Sequence, residues 1–183
     1  MEKFVINIGR QLGSGGRTVG EIIARRLGIR LYDKELINLA ARESGICPEI
    51  FEKADEKESN DALFKIQSDV IRKVAAGESA VFVGRCADYI LRENPRCVNV
   101  FITADDEDRC RRICARQGCT PAEAQALMER VDARRASYYN YYSSRTWGVA
   151  STYHLCVSSS VLGDEGTADF ILEFAARKLH EKF

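Results

Sequence analysis

The stretch Gly9-Arg10-Gln11-Leu12-Gly13-Ser14-Gly15-Gly16-Arg17-Thr18 sits between two contrasting patterns. Before it runs the apolar segment Phe4-Val5-Ile6-Asn7-Ile8. After it comes Val19 to Leu27, whose apolar residues 19, 22, 23 and 27 share one helical face. Strand, glycine-rich turn, basic residue, Thr and helix follow one another in the order a phosphate cradle requires. Glycines let such a loop curl its N–H groups inward, and the helix N-terminus adds the positive end of its dipole. Gly13, Ser14, Gly15 and Gly16 supply the loop, Arg17 can reach the terminal phosphates, and Thr18 can ligate Mg²⁺.

The match to G-x-x-x-x-G-K-[ST] is incomplete, because Gln11 stands at the first glycine and Arg17 at the lysine. Arginine keeps the charge but replaces a compact ammonium with a planar fork. An ordinary glycine-rich strand-to-helix turn is the plain alternative. Four glycines within residues 9–16, ending in Arg-Thr at a helix start, favour the cradle.

At 183 residues the chain suits one domain with a substantial core and room for an inserted subdomain. Acidic and basic side chains balance at 27 each, so no global field directs it to nucleic acid or a membrane. Neither a membrane-length apolar run nor the apolar core of a signal peptide is present, which points to the cytoplasm. The seven cysteines include no C-x-x-C pair. Cys110, Cys114 and Cys119 lie near one another without a nearby His; free thiols suit them better than a metal.

The basic residues are unevenly spread. Residues 74–177 hold twelve arginines and no lysine, and eight of the arginines fall between Arg109 and Arg145. Bidentate phosphate recognition favours Arg, whereas a solvated face has little reason to exclude Lys. Codon bias would do the same, but the lysines before residue 74 argue against it. The arginines are therefore expected to form a phosphate-facing set.

Apolar runs at 3–8, 29–32, 80–84, 98–103 and 153–158 read as strands. Helix-period segments near 34–43, 60–77, 105–117, 121–142 and 165–181 alternate with them. This alternation predicts a parallel five-stranded sheet with helices on both faces. Ligands of such sheets sit at the carboxyl ends of the strands, where the glycine loop, Asp33, Gly84-Arg85 and Asp105 fall. Residues 44–60 are charged and weakly patterned, and are expected to form a mobile connection within a helical insert. Tyr138, Tyr139, Tyr141, Tyr142 and Trp147 form an aromatic cluster suited either to core packing or to base stacking, and segment 138–147 would also serve as a homodimer interface.

Four motifs carry a family resemblance: residues 6–17, Leu31-Tyr32-Asp33-Lys34-Glu35-Leu36-Ile37, Val81-Phe82-Val83-Gly84-Arg85-Cys86-Ala87-Asp88, and Asp132-Ala133-Arg134-Arg135. In this order they resemble the cytidylate kinase-like family, a branch of the P-loop nucleoside monophosphate kinases. The resemblance implies a three-layer P-loop fold and transfer of the γ-phosphoryl of ATP, with Mg²⁺, to a small-molecule acceptor. Residues 1–33 and 80–183 would form the core, about 34–79 a helical acceptor-side insert, and about 109–145 an arginine-rich lid. Residues 13–18 and Arg109 would hold the donor. Asp33, Arg85, Asp88, Asp132 and Arg135 would face the acceptor. Arg17, Arg112, Asp132 and Arg135 would act on the transferring charge, beside Arg111 and Arg116 on the lid.

The chain departs from that family on the acceptor side. Cys86 stands where cytidylate kinases carry an Asp, Lys34-Glu35-Leu36 where they carry Ser-Gly-Ala, and Leu39 near an expected arginine. Lys34 suggests an acceptor with additional negative charge. The phosphate machinery is thus better kept than the cytosine-reading machinery, and a nucleotide sensor with little transfer activity is the rival reading. Plain roles also exist: Asp33 as a helix cap, Asp132 with Arg135 or Arg116 as a surface ion pair, and Asp105, Asp106 and Asp108 as partners of a helix dipole.

Overall fold

The computed structural model describes residues 2–33, 35–45 and 61–183. Five strands, β1 (Val5–Arg10), β2 (Arg30–Tyr32), β3 (Ala80–Val83), β4 (Cys97–Thr103) and β5 (Leu155–Ser158), form one sheet in the order β2-β3-β1-β4-β5. Every pairing is parallel. β1 therefore lies at the centre, with Ile8 beside Val83 on one flank and Val100 on the other. The chain's reversal around β1 creates a crevice at the carboxyl ends of the strands.

Both faces of the sheet are covered, as strands this apolar require. On one face Ile6, Ile8, Val81, Val83, Val100 and Ile102 pack against α1 (Gly16–Leu27) and α7 (Ser159–Leu179). Val19, Ile22 and Ile23 of α1 are buried there, the stripe expected from their spacing. On the other face Val5, Phe82 and Cys97 meet α3 (Asp61–Gly77), the single-turn α4 (Ala87–Ile90) and the end of α6 (Pro121–Ser143). The remaining helices are α2 (Glu35–Ser44) and α5 (Asp106–Gln117).

Local chemistry accounts for the start of α6 and the break in α7. α6 starts at a capping box, in which the Thr120 hydroxyl accepts the Glu123 N–H and Glu123 accepts the Thr120 N–H, with Pro121 in the first turn. α7 is interrupted at Gly163, whose φ of 67° and ψ of 176° leave the helix. It begins at Ser159, before the expected residue 165, because the turn ahead of this kink is also helical. The expected mobile connection at 44–60 lies largely outside the described residues, as does Lys34. Among the described residues no helix is long and apolar enough to cross a membrane.

Candidate active site

The glycine loop leaves β1 and enters α1 with Gly13 and Gly15 both at φ 78°. These values are left-handed, a region that side chains rarely adopt. Space adds a second constraint at Gly13, where a Cβ would stand 2.8 Å from the Arg109 carbonyl oxygen. Ser14 is fully buried: its hydroxyl donates to the Gln11 carbonyl at 2.8 Å, and its own carbonyl accepts the Ser159 hydroxyl at 2.6 Å. The first turn of α1, Gly16-Arg17-Thr18, has no intrahelical acceptor for its amides. Gly13, Gly15, Gly16, Arg17 and Thr18 all face a cleft of about 880 Å³.

The other wall of this cleft comes from the ends of β2 and β3 and from α6. Asp33 follows β2, is 6 % exposed, and lies 3.5 Å from the guanidinium of Arg17. Arg17 also pairs with Glu21 at 3.0 Å. After β3, Gly84, Arg85 and Cys86 have φ values of 75°, 62° and 55°. Two consecutive non-glycine residues in the left-handed region cost about 1–3 kcal/mol each, the kind of strain that gathers at functional sites. This turn aims the chain into α4, where Asp88 accepts a hydrogen bond from the Tyr139 hydroxyl at 2.6 Å. Burial raises the Asp88 pKa, while the Tyr139 bond and the charge of Arg145 act against that shift. Burial, then the nearby Asp88 charge, raises the pKa of Tyr139 in turn.

The expected site residues divide into two groups. Arg17, Thr18, Asp33, Arg85, Asp88, Arg112 and Arg135 line the cleft together with the loop glycines. Arg109 and Asp132 stand behind it. The Asp132 carboxylate accepts the Leu12 N–H at 2.8 Å and pairs with the Arg109 guanidinium. Arg109 is 4 % exposed, donates from Nε to the Leu12 carbonyl at 2.8 Å, and pairs with Asp106 at 3.0 Å. Arg135 reaches the Arg10 carbonyl at 3.1 Å; burial lowers its pKa, against the favourable charges of Asp132 and Asp33. Three polar side chains of α5 and α6 thus tether both carbonyl and amide groups at the start of the loop.

Asp164, not singled out in the sequence, is brought to the loop by the kink at Gly163. It accepts a hydrogen bond from Arg112 at 2.7 Å, and a Cβ on Gly15 would lie 2.6 Å from its carboxylate oxygen. Arg10 likewise went unmarked, yet its side chain packs over Gly16 and against Gly84, linking the loop to the Arg85 turn. The aromatic cluster serves the core: Tyr142 stacks on Phe64 with centroids 3.8 Å apart, and Trp147 meets Phe101 edge-on at 5.1 Å. Tyr138, Tyr139 and Trp147 also present surface to the cleft. Leu39 packs against the core cluster. Cys110, Cys114 and Cys119 are free thiols around Ile113, Ala124 and Met128. Among the described residues no three metal-ligating side chains converge.

A central strand, a left-handed glycine loop and a helix start thus stand opposite a strained arginine turn across one cleft. The model of the cytidylate kinase-like family matches residues 5–161. The chain belongs to that family. It is 28% identical over 175 residues to the cytidylate kinase of Archaeoglobus fulgidus, covering 92% of each chain. The crystal structure of an uncharacterized protein from Eubacterium ventriosum superposes with a TM-score of 0.82 at 31% identity, covering 94% of this chain and 98% of that one. Shikimate kinase from Bacteroides thetaiotaomicron shares the fold at 16% identity, with a TM-score of 0.58 and coverage of 97% and 98%. The parallel sheet with flanking helices is thus that of the P-loop kinases, and membership of the family supports phosphoryl transfer in general.

Proposed function

We propose that this protein transfers the γ-phosphoryl group of ATP, with Mg²⁺, to a nucleoside monophosphate. One observation carries the reading: the amide-bearing first turn of α1 and the Arg85 turn face each other across a single cleft of about 880 Å³. Phosphoryl transfer is mainly positioning and charge neutralisation, so the parts required are cations and oriented amides around two phosphate groups. The loop and α1 would hold the donor phosphates, and Arg85 with Asp33 and Asp88 the acceptor. Arg17, Arg112 and Arg135 would stabilise the transferring charge. Asp132 and Arg109 would act as positioning residues, fixing the backbone at Leu12.

The Thr18 hydroxyl would hold Mg²⁺. That ion commonly keeps several waters and takes few protein ligands beside substrate phosphates, which fits one hydroxyl in the first turn of α1. When bound it neutralises phosphate charge; the residues named above do the orienting.

Cytidine monophosphate is expected to be a poor or merely shared acceptor. Base pockets discriminate strongly only when their polar groups must be paired, and here the buried thiol of Cys86 replaces a carboxylate. Asp88, two positions on, is the carboxylate facing the cleft from α4. A panel of the four common nucleoside monophosphates, ribo and deoxy, with ATP-Mg²⁺ and ADP as the readout, tests the proposal. Acceptor-dependent ADP release is expected; ATP hydrolysis without acceptor dependence would refute it.

A nucleotide sensor is the second reading, favoured by the pairing of Arg17 with both Glu21 and Asp33. Tight ATP binding without turnover for any acceptor would select it.

A further inference from the structure

A second cavity, of about 650 Å³, opens between residues 91–97, the connection 145–154 and the end of α7. Arg92, Arg145, His154 and Lys178 stand in its wall beside Asn94, Asn99 and Thr152, and none of its described lining residues is Asp or Glu. The guanidinium carbons of Arg92 and Arg145 lie 4.4 and 5.5 Å from the centroid of one ring, Tyr89. Arg145 and Lys178 are half-buried and form no ion pair among the described residues. Arg92 pairs at 3.5 Å with Glu93, whose side chain is 91% exposed and lies outside the wall; such a pair contributes little. Lys178 donates to the Pro95 carbonyl at 3.5 Å, and the charge of Arg145 acts on the buried Asp88.

We infer that this cavity is a second anion site, separate from the kinase cleft, for a small phosphorylated molecule carrying two or more negative charges. Gathering like charges around one hollow without a carboxylate is unfavourable until an anion enters. Two guanidinium groups offer planar forks to phosphate oxygens, and the lysine offers a point charge. The volume falls within the ~300–1,000 Å³ of small-ligand pockets. Asn94, Ser151 and Thr152 add neutral polar groups suited to hydroxyls of the carrier molecule.

His154 belongs to the same wall in its neutral form. Its Nδ1 accepts the Asn99 N–H at 2.9 Å, which leaves the proton on Nε2. The two cavities are neighbours: Tyr153 lines both, and Asn7 in the cleft donates to Asn99 in the second cavity at 2.8 Å across the paired strands β1 and β4. An occupant would therefore share Tyr153 with the cleft without entering it.

The two histidines of the chain give a site-specific readout. His154 is in the wall, whereas His180 is exposed and outside it. Their ring proton resonances are followed at pH 7.5 and constant ionic strength while inorganic pyrophosphate, and separately inorganic phosphate, is added. A saturable shift of His154 with no matching shift of His180 is expected, with pyrophosphate binding more tightly than phosphate. The double variant Arg145→Gln, Lys178→Gln should weaken the response at least tenfold, the single variant Lys178→Gln by less, and Arg112→Ala in the cleft should leave it intact. Spectral dispersion confirms that each variant is folded. A His154 shift that is absent, that chloride reproduces, or that survives the double variant but vanishes in Arg112→Ala overturns the inference.

Discussion

Replacing Asp132 with Ala separates two roles for that residue. The Arg109 and Asp132 side chains are only 5% and 16% exposed, and Asp132 is also the acceptor for the Leu12 amide. Removing one member of a buried pair leaves the other charge uncompensated, at a cost of about 3–5 kcal/mol. Arg109 keeps Asp106, which is 72% exposed and so a weak substitute. The expected loss is therefore near the lower end, about 3 kcal/mol. For a chain of this size that corresponds to a melting temperature lower by roughly 6–12 °C. Donor-nucleotide affinity should fall as well, because the loop loses a tether at Leu12. Asp132→Asn keeps an oxygen for the Leu12 amide and should cost less. Replacing both partners, Arg109→Met with Asp132→Leu, should recover much of the stability, since apolar replacement of a buried pair is often close to neutral. Thermal and urea unfolding of the single and double variants, with donor binding measured alongside, make the check. Unchanged stability in Asp132→Ala with a raised acceptor KM would refute the tethering argument and place Asp132 against the acceptor.

Three other outcomes follow from the site and its surroundings. Arg17→Ala should lower kcat by about 10²-fold or more, the usual loss for a transition-state stabiliser, while Arg17→Lys should keep most of the rate; a harmless Ala variant would remove Arg17 from the cradle. Asp88→Asn should raise acceptor KM while leaving donor affinity nearly unchanged, since Asp88 faces the cleft from α4 beside the Arg85 turn; equal loss of donor affinity would count against an acceptor role. His154 has a pKa lowered from 6.5 by burial and then by the Lys178 charge, so as pH falls below 6.5 the unfolded chain takes up a proton that the folded chain resists, and stability drops through that window. Melting curves between pH 7.5 and 5 should therefore show a smaller decline in His154→Gln than in the native protein.

The parts of the fold legible in the sequence are those set by local pattern. Residues 19, 22, 23 and 27 announced α1, and the apolar runs announced the strands, because a sheet buried on both faces leaves unbroken apolar segments. The strand-end rule then selected Asp33 and Arg85. Contacts across long separations were not legible. The 3-residue spacing of Asp132 and Arg135 places both on one helical face, yet nothing in it reveals that they bond to Leu12 and Arg10, 120 and 125 residues away in the chain. Asp164 was hidden for a different reason: the last helix was expected to begin one residue beyond it, and only the break at Gly163 turns it towards Arg112. The left-handed conformation of Arg85 and Cys86 has no composition signal, because neither residue favours it.

The lysine-free stretch takes on a second meaning in this light. Arg112, Arg116, Arg134 and Arg135 do line the cleft, as a phosphate-facing set would, but Arg109 serves the scaffold and Arg145 faces the other cavity. Arg109 spends each arm of its fork on a different partner: Nε on the Leu12 carbonyl, one terminal nitrogen on Asp106 and the other on Asp132. A lysine ammonium carries the same charge, but it is a compact group that cannot span three acceptors spread around a planar fork. Arginine would then be required here by backbone geometry, not by phosphate. Arg109→Lys should therefore cost about 1–3 kcal/mol, the range for a hydrogen bond lost from a buried acceptor, although no charge is removed. It should also weaken donor binding through the slackened Leu12 carbonyl. Unfolding midpoints and donor affinity for Arg109→Lys decide the matter: a variant equal to the native protein in both would show that charge alone holds the loop, and that the three-way fork has no energetic consequence.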